Sequence, residues 1–164
     1  KEMKIFKDKL NWKMGHSKGF MPHQDQPAWS EFPADRYISV ALFANESTVD
    51  NGCLEFVSKQ HKNGVYTHEN SQITPKIVDS FDWNYVTSTT SDVLLFDSYA
   101  PHRSGPNITN NSRRIFYFTF NEKSIGSFYN DYIKKKRANF PPNIERLAGK
   151  EYKSSIYNLA NPII

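Results

Sequence analysis

The stretch Asp92-Val93-Leu94-Leu95-Phe96-Asp97-Ser98-Tyr99-Ala100-Pro101-His102-Arg103-Ser104-Gly105-Pro106-Asn107 is an apolar run that leaves a core and reaches a histidine. Asp92 to Phe96 has the short, continuous apolar character of a buried strand, so His102 is expected where a strand emerges. Far upstream stands His23-Gln24-Asp25. An H-x-D followed much later by a single His supplies two imidazoles and one carboxylate. This donor set is the facial triad of non-haem Fe(II) oxygenases, which leaves positions open for co-substrate and dioxygen. On a strand or strand end, the two-residue spacing points His23 and Asp25 to one face.

Arg113 lies eleven residues past His102, at the start of Arg113 to Asn121, an aromatic strand. Strand parity puts Arg113, Ile115, Tyr117 and Thr119 on one face and Arg114, Phe116, Phe118 and Phe120 on the other. A guanidinium that faces a core needs an anionic partner, and its planar fork suits a carboxylate. Arg113 is therefore placed to hold the far end of a dicarboxylic acid. Ser104 can add a hydroxyl and Asn11 an amide to the same group. Each fragment alone has a plainer reading: a surface H-x-D, a loop His, an Arg reaching solvent. That last description suits Arg114 better than Arg113. The ordered combination carries the argument.

Working outward, Ile5 to Met14 alternates, with Phe6, Leu10 and Trp12 on one parity and Lys7, Lys9, Asn11 and Lys13 on the other. The polar parity suits solvent or a wet pocket. Tyr37 to Ala44 and Cys53 to Val57 read as strands, the second introduced by the turn signal Asn51-Gly52. Residues 62–82 are polar and irregular, which predicts a lid or long loop. Ser127 to Phe140 is predicted helical and is stopped by Pro141-Pro142. The tail, Asn143 to Ile164, reads as an extended wrap. Many short strands joined by turns predict a mainly β jelly roll or double-sheet barrel. The Phe116/Phe118/Phe120 face needs a cover, such as helices preceding Lys1.

The 164 residues suit one domain. No apolar run is long enough to cross a membrane. The single Cys53 excludes an internal disulfide framework and fits a reducing, cytoplasmic setting. The net charge of +4 owes much to Lys134-Lys135-Lys136-Arg137, read as a solvated surface. No nucleic-acid module is present. The sequons at Asn45, Asn107 and Asn110 read as chance matches in an Asn-rich chain. His16 has no evident role, and His61 and His68 read as loop histidines.

At the level of phrases, the chain resembles the phytanoyl-CoA dioxygenase family. The match rests on His23-Gln24-Asp25, on Asn51-Gly52-Cys53-Leu54-Glu55-Phe56-Val57 with His61 beyond, and on Asp92 to Asn107 with Arg113-Arg114. Phe6 to Lys13, Pro22 to Ala28, Tyr132 to Pro142 and the ending Tyr157-Asn158 with Asn161-Pro162 resemble its 2-aminoethylphosphonate dioxygenases. The resemblance implies a double-stranded β-helix with a short C-terminal helix. It further implies one catalytic domain over 1–164, without the usual N-terminal helical region. It makes His23, Asp25 and His102 the Fe(II) ligands, with 2-oxoglutarate and dioxygen as co-substrates. Arg113, Ser104 and Asn11 would hold 2-oxoglutarate. Lys9, Lys7 and Trp29 would face the substrate. Arg36 and Arg103 are further cations for a phosphonate. Asp25, absent from related halogenases, implies hydroxylation. The expected substrate is a small phosphonate, with no nucleic-acid or membrane partner. The alternatives are a same-family hydroxylase of an ectoine- or betaine-like zwitterion and a non-catalytic cupin-like binder.

Overall fold

The computed structural model describes residues 1–150 and 152. Its strands in chain order are β1 (Met3–Lys13), β2 (Phe20–His23), β3 (Ile38–Phe43), β4 (Leu54–Val57), β5 (His68–Glu69), β6 (Gln72–Ile73), β7 (Trp83–Val86), β8 (Val93–Asp97), β9 (His102–Ser104) and β10 (Arg113–Glu122). Two helical segments follow α-geometry, α1 (Pro75–Val78) and α2 (Tyr129–Asn139). One sheet has the order β1-β10-β3-β8, the other β2-β9-β4-β7, and β5 pairs with β6 in a short ribbon. All pairings are antiparallel. The chain passes from one four-stranded sheet to the other and back, so the two sheets face each other. This is the expected double-stranded β-helix, mainly β with a short helix near the C-terminus.

The first strand shows why this sequence takes this form. Its pairing with β10 slips between Ile5 and Lys7, which leaves Phe6 as an extra, bulged residue. The bulge releases Phe6 from the outward parity of Leu10 and Trp12. Its ring is fully buried against Trp29, Phe32, Tyr37 and Tyr132, with centroids 4.6–5.5 Å away. This aromatic cluster joins β1, the 3-10 turn Gln26–Trp29 and α2 in one core. A second core, Ala41, Phe43, Phe96 and Ile115, lies in the first sheet on its inner face. Beyond Phe6, Lys7, Lys9 and Asn11 of the polar parity turn inward to a cavity, as the wet-pocket reading of the alternation expects, and Lys13 of the same parity is buried.

The outer face of the same sheet carries exposed Leu10, Trp12, Leu42, Val93, Leu95 and Phe116. Two expectations change here. Asp92 to Phe96 is not a strand buried on both faces. Its strand, β8, is an edge strand with Leu95 62% exposed, and Phe96, with half-buried Leu94, turns into the core. Apolar continuity alone does not report which face is covered. Residues 62–82 are not one irregular loop, because β5, β6 and α1 fold within them. Those elements are two to four residues long, too short to leave a periodic signal. The tail makes a 3-10 turn at Asn143–Glu145. Most of the expected wrap, including the phrase at 157–162, lies outside the described residues.

Candidate metal centre and co-substrate pocket

Two adjacent strands deliver the imidazoles. His23 ends β2 and His102 begins β9, and the two are direct cross-strand partners. Their ring centroids stand 4.1 Å apart, and both residues are buried. His23 Nδ1 lies 2.7 Å from the Met21 carbonyl, and His102 Nδ1 lies 3.0 Å from that of Ala100. A carbonyl only accepts, so each Nδ1 carries a proton, which leaves Nε2 as the nitrogen able to ligate a metal. Asp25 arrives differently from the strand-parity expectation. It caps the 3-10 turn Gln26–Trp29 with helical backbone angles. The chain therefore turns immediately after His23 and brings the carboxylate round to the two rings. Ligand atoms of His23, Asp25 and His102 all lie within 4.8 Å of one another.

The electrostatics suit a cation. Burial first, and then the facing His102 ring, push His23 down to about 3, so its imidazole is neutral at ordinary pH. Burial pushes the Asp25 carboxyl up, but Lys7, His102, His23 and Lys9 together outweigh it and hold the group below the usual carboxylate range. Two imidazoles and one ionised carboxylate are a donor set that fits a divalent first-row metal such as Fe(II). Phe56 stacks on the His102 ring at 5.5 Å, and Phe96 packs against it at 5.2 Å. These rings hold the imidazole in place and keep that side of the centre apolar.

The triad lies in the wall of a cavity of about 610 Å³. Arg113, Ser104, Asn11, Leu54, Phe20 and Tyr117 line one part of it. Arg113 is 1% exposed and has no carboxylate partner among the described residues. Its Nη1 reaches Ser47 Oγ at 3.5 Å, and its Nε has no hydrogen-bond partner. A buried guanidinium with an orphaned N–H is a receptor for an anion.

Lys13 was not singled out from the sequence and proves equally prominent. It is the register partner of Arg113 and is 3% exposed. Its Nζ donates to Ser104 Oγ at 2.8 Å, Gly105 O at 2.5 Å and Gly52 O at 3.2 Å. Burial, and then the charge of Arg113, push it down to about 7. The signal that could have found it was its place on the polar parity, directly ahead of the turn to His23. Gly52 is required beneath it, because its φ is +72° and a Cβ there would meet Gly105 O at 2.4 Å and the Lys13 ammonium at 2.7 Å.

The opposite part of the cavity holds Lys7, Lys9 and Trp29. Lys7 Nζ sits 4.3 Å over the Trp29 ring, and Lys9 Nζ sits 5.8 Å from the Phe20 centroid. Burial, partly offset by Asp25, pulls Lys7 down to about 8. The two arginines expected to meet a phosphonate are engaged elsewhere. Arg36 is exposed, pairs with Asp97 at 3.1 Å and lies outside the cavity lining. Arg103 borders the cavity, but its guanidinium donates to Glu55 from Nε at 3.0 Å and Nη2 at 2.7 Å and stacks 4.3 Å over Trp83. Strand parity explains this, since Arg103 lies between the inward His102 and Ser104. His68 accepts weakly from the Gln24 N–H at 3.4 Å, His16 bonds Asn110 at 2.8 Å, and neither enters the cavity.

Comparison with known proteins agrees with this geometry. The family model for phytanoyl-CoA dioxygenase (PhyH) matches residues 1–115, and the chain belongs to that family. The 2-aminoethylphosphonate dioxygenase of an uncultured bacterium, HF130_AEPn_1, is 37% identical over 97% of this chain. The methylphosphonate hydroxylase of Gimesia maris is 34% identical over 92%. The chain spans 62% and 57% of the length of these two relatives. Among solved structures, apo EctD from S. alaskensis has a TM-score of 0.61 at 26% identity, over 76% of this chain and 49% of its own. EvdO2 from Micromonospora carbonacea var. aurantiaca, complexed with 2-oxoglutarate, shares the fold with a TM-score of 0.62 at 23% identity, over 73% of this chain and 51% of its own. No helix among the described residues is long and apolar enough to cross a membrane.

Proposed function

We propose that this family member is an Fe(II)- and 2-oxoglutarate-dependent dioxygenase that hydroxylates a C–H bond of a small organophosphonate. The substrate we assign is 2-aminoethylphosphonate, taken to its 1-hydroxy product. The observation that carries the reading is the convergence of His23, Asp25 and His102 in a cavity that also holds a buried Arg113 with no carboxylate partner among the described residues. The two phosphonate-acting relatives support the substrate class.

In this reading His23 Nε2, His102 Nε2 and an Asp25 oxygen hold the ferrous ion. When bound there with 2-oxoglutarate and dioxygen, the ion supplies an oxidative decarboxylation coupled to hydroxylation of the nearest C–H. The protein's task is position and charge. Arg113 receives the distal carboxylate through its planar fork, and Lys13 and Ser104 stand beside it as a second ammonium and a hydroxyl. Asn11 contributes an amide from the neighbouring inward position of β1. Lys7 and Lys9 hold the anionic end of the substrate on the other side of Asp25, and Trp29 forms a flat wall under Lys7. Close placement decides which C–H is attacked, because the oxidant discriminates little by itself. A betaine-like zwitterion offers these lysines a single carboxylate charge, fewer than a phosphonate. The single free Cys53, buried against the co-substrate end, accords with a reducing cytoplasmic setting.

The test is anaerobic. Fe(II) and 2-oxoglutarate together should produce a visible charge-transfer band that neither gives alone. Admission of air with 2-aminoethylphosphonate should release succinate in step with hydroxylated product. Metal binding without 2-oxoglutarate consumption would instead identify a non-catalytic binder. Succinate release with ectoine-like solutes and not with phosphonates would overturn the substrate.

A further inference from the structure

The run Lys134-Lys135-Lys136-Arg137 is not one solvated patch, because α2 distributes it. Helical spacing puts Tyr129, Tyr132, Ile133, Lys136 and Phe140 on one face, and all five line the cavity. Tyr132 anchors that face in the aromatic core, with its ring 4.9 Å from Phe6. Tyr129 ties it to β1 by donating to Asp8 Oδ1 at 2.7 Å. Lys136, one turn beyond Tyr132, is therefore turned inward and half-buried. Lys134 is exposed and does not line the cavity, and Lys135 is drawn outside to Glu31 at 2.9 Å.

Lys136 joins Lys7 and Lys9 around one space, where Lys7 and Lys9 feel both Asp25 and Lys136, and Lys136 feels Asp8. None of the three forms a salt bridge among the described residues. The acidic residues in the cavity lining are Asp25, taken by the metal centre, and Asp8, bonded to Tyr129. Three ammonium groups outnumber these two carboxylates, and a multiply charged anion relieves the excess positive charge more than a singly charged one. Each lysine is a point donor, which suits the three oxygens of a tetrahedral head better than a planar carboxylate.

We propose that Lys136 completes a three-ammonium receptor for the phosphonate head and sets the preference for that dianion over the singly charged sulfonate. The inference rests on the reading of the chain as a phosphonate hydroxylase. Its test compares 2-aminoethylphosphonate with taurine, the sulfonate of the same shape, by titration calorimetry on the anaerobic loaded protein and by succinate release. The parent protein should prefer the phosphonate. Lys136→Gln should weaken phosphonate binding about tenfold, the worth of one charge-assisted contact. Taurine binding and the 2-oxoglutarate KM should stay within about twofold, because those ligands draw little on this cation. Lys136→Arg should restore most of the preference, and Lys135→Gln should leave it intact. A general folding defect would lower both ligands together and would not be rescued by arginine. If Lys136→Gln keeps the full preference while the parent turns phosphonate over, Lys136 has no such role and the hydroxylase reading stands. If the parent neither binds nor turns over phosphonate, that reading fails and this inference with it.

Discussion

Replacing Arg113 by methionine should have two opposite consequences, and together they test the co-substrate pocket. Arg113 is buried, faces the cavity and finds no anion within the described protein. In the ligand-free state it is therefore a desolvated charge, and Lys13 repels it from the paired strand. Exchanging a buried ion for an apolar side chain of similar volume is commonly neutral or stabilising, by about 1–4 kcal/mol. The ligand-free Arg113→Met protein should thus melt no lower than the parent, and a few degrees higher if the repulsion is fully relieved. Co-substrate binding should move the other way. A forked contact to a carboxylate makes two charge-assisted hydrogen bonds at about 1.5–3 kcal/mol each. Lys13 and Ser104 remain to hold part of the charge, so the lower end, about 3 kcal/mol in total, is the better figure. At roughly 1.4 kcal/mol per decade, that is a loss near 100-fold in 2-oxoglutarate affinity. Calorimetric titration of 2-oxoglutarate under anaerobic conditions and a ligand-free melting curve measure both. An unchanged affinity would put the carboxylate anchor elsewhere. A sharp fall in ligand-free stability would make Arg113 a structural ion with a partner inside the protein.

Lys13 gives a pH signature. It stands at about 7 in the fold against the ordinary lysine value of 10.5. Between those values the unfolded chain binds the extra proton, so stability of the ligand-free protein should rise with pH across that window and decline as pH falls back towards 7. Urea midpoints measured over the window should show this slope, and Lys13→Met should flatten it. Lys13 is paired with Arg113 and bonded to Ser104, so if 2-oxoglutarate binds at Arg113 as proposed, its binding above pH 7 should take up a proton, read by titration in buffers of different ionisation enthalpy. His102→Ala should abolish both the charge-transfer band and succinate release, and succinate formation at the parent rate would remove the metal assignment. Phe6→Ala empties the centre of the aromatic cluster and should cost about 4 kcal/mol, roughly 10 °C in Tm. Because Trp29 and Tyr132 lose their common neighbour, the phosphonate KM should rise too, and an unchanged KM would show that α2 and Trp29 hold their places without Phe6.

The sequence by itself pointed to the candidate ligands, to the double-sheet fold and to which side chains of β1 and β10 share a face. His23, Asp25, His102 and Arg113 are chemically distinctive, and inward parity on β1 and β10 follows from alternation, which is local. Tertiary structure alone decided the rest. Alternation could not say whether Lys7, Lys9 and Asn11 met solvent or a cavity, since both are wet. It could not show the bulge that turns Phe6 inward, the turn that swings Asp25 round to the rings, or the exposed face of β8. Nor could a list of cations reveal which were free. Arg36 and Arg103 are spent on Asp97 and Glu55, whereas Lys7, Lys9 and Lys136 line the cavity without a salt bridge among the described residues. Charge is written in the sequence, but its pairing depends on which strands and helices become neighbours, and that is fixed only when the chain closes on itself.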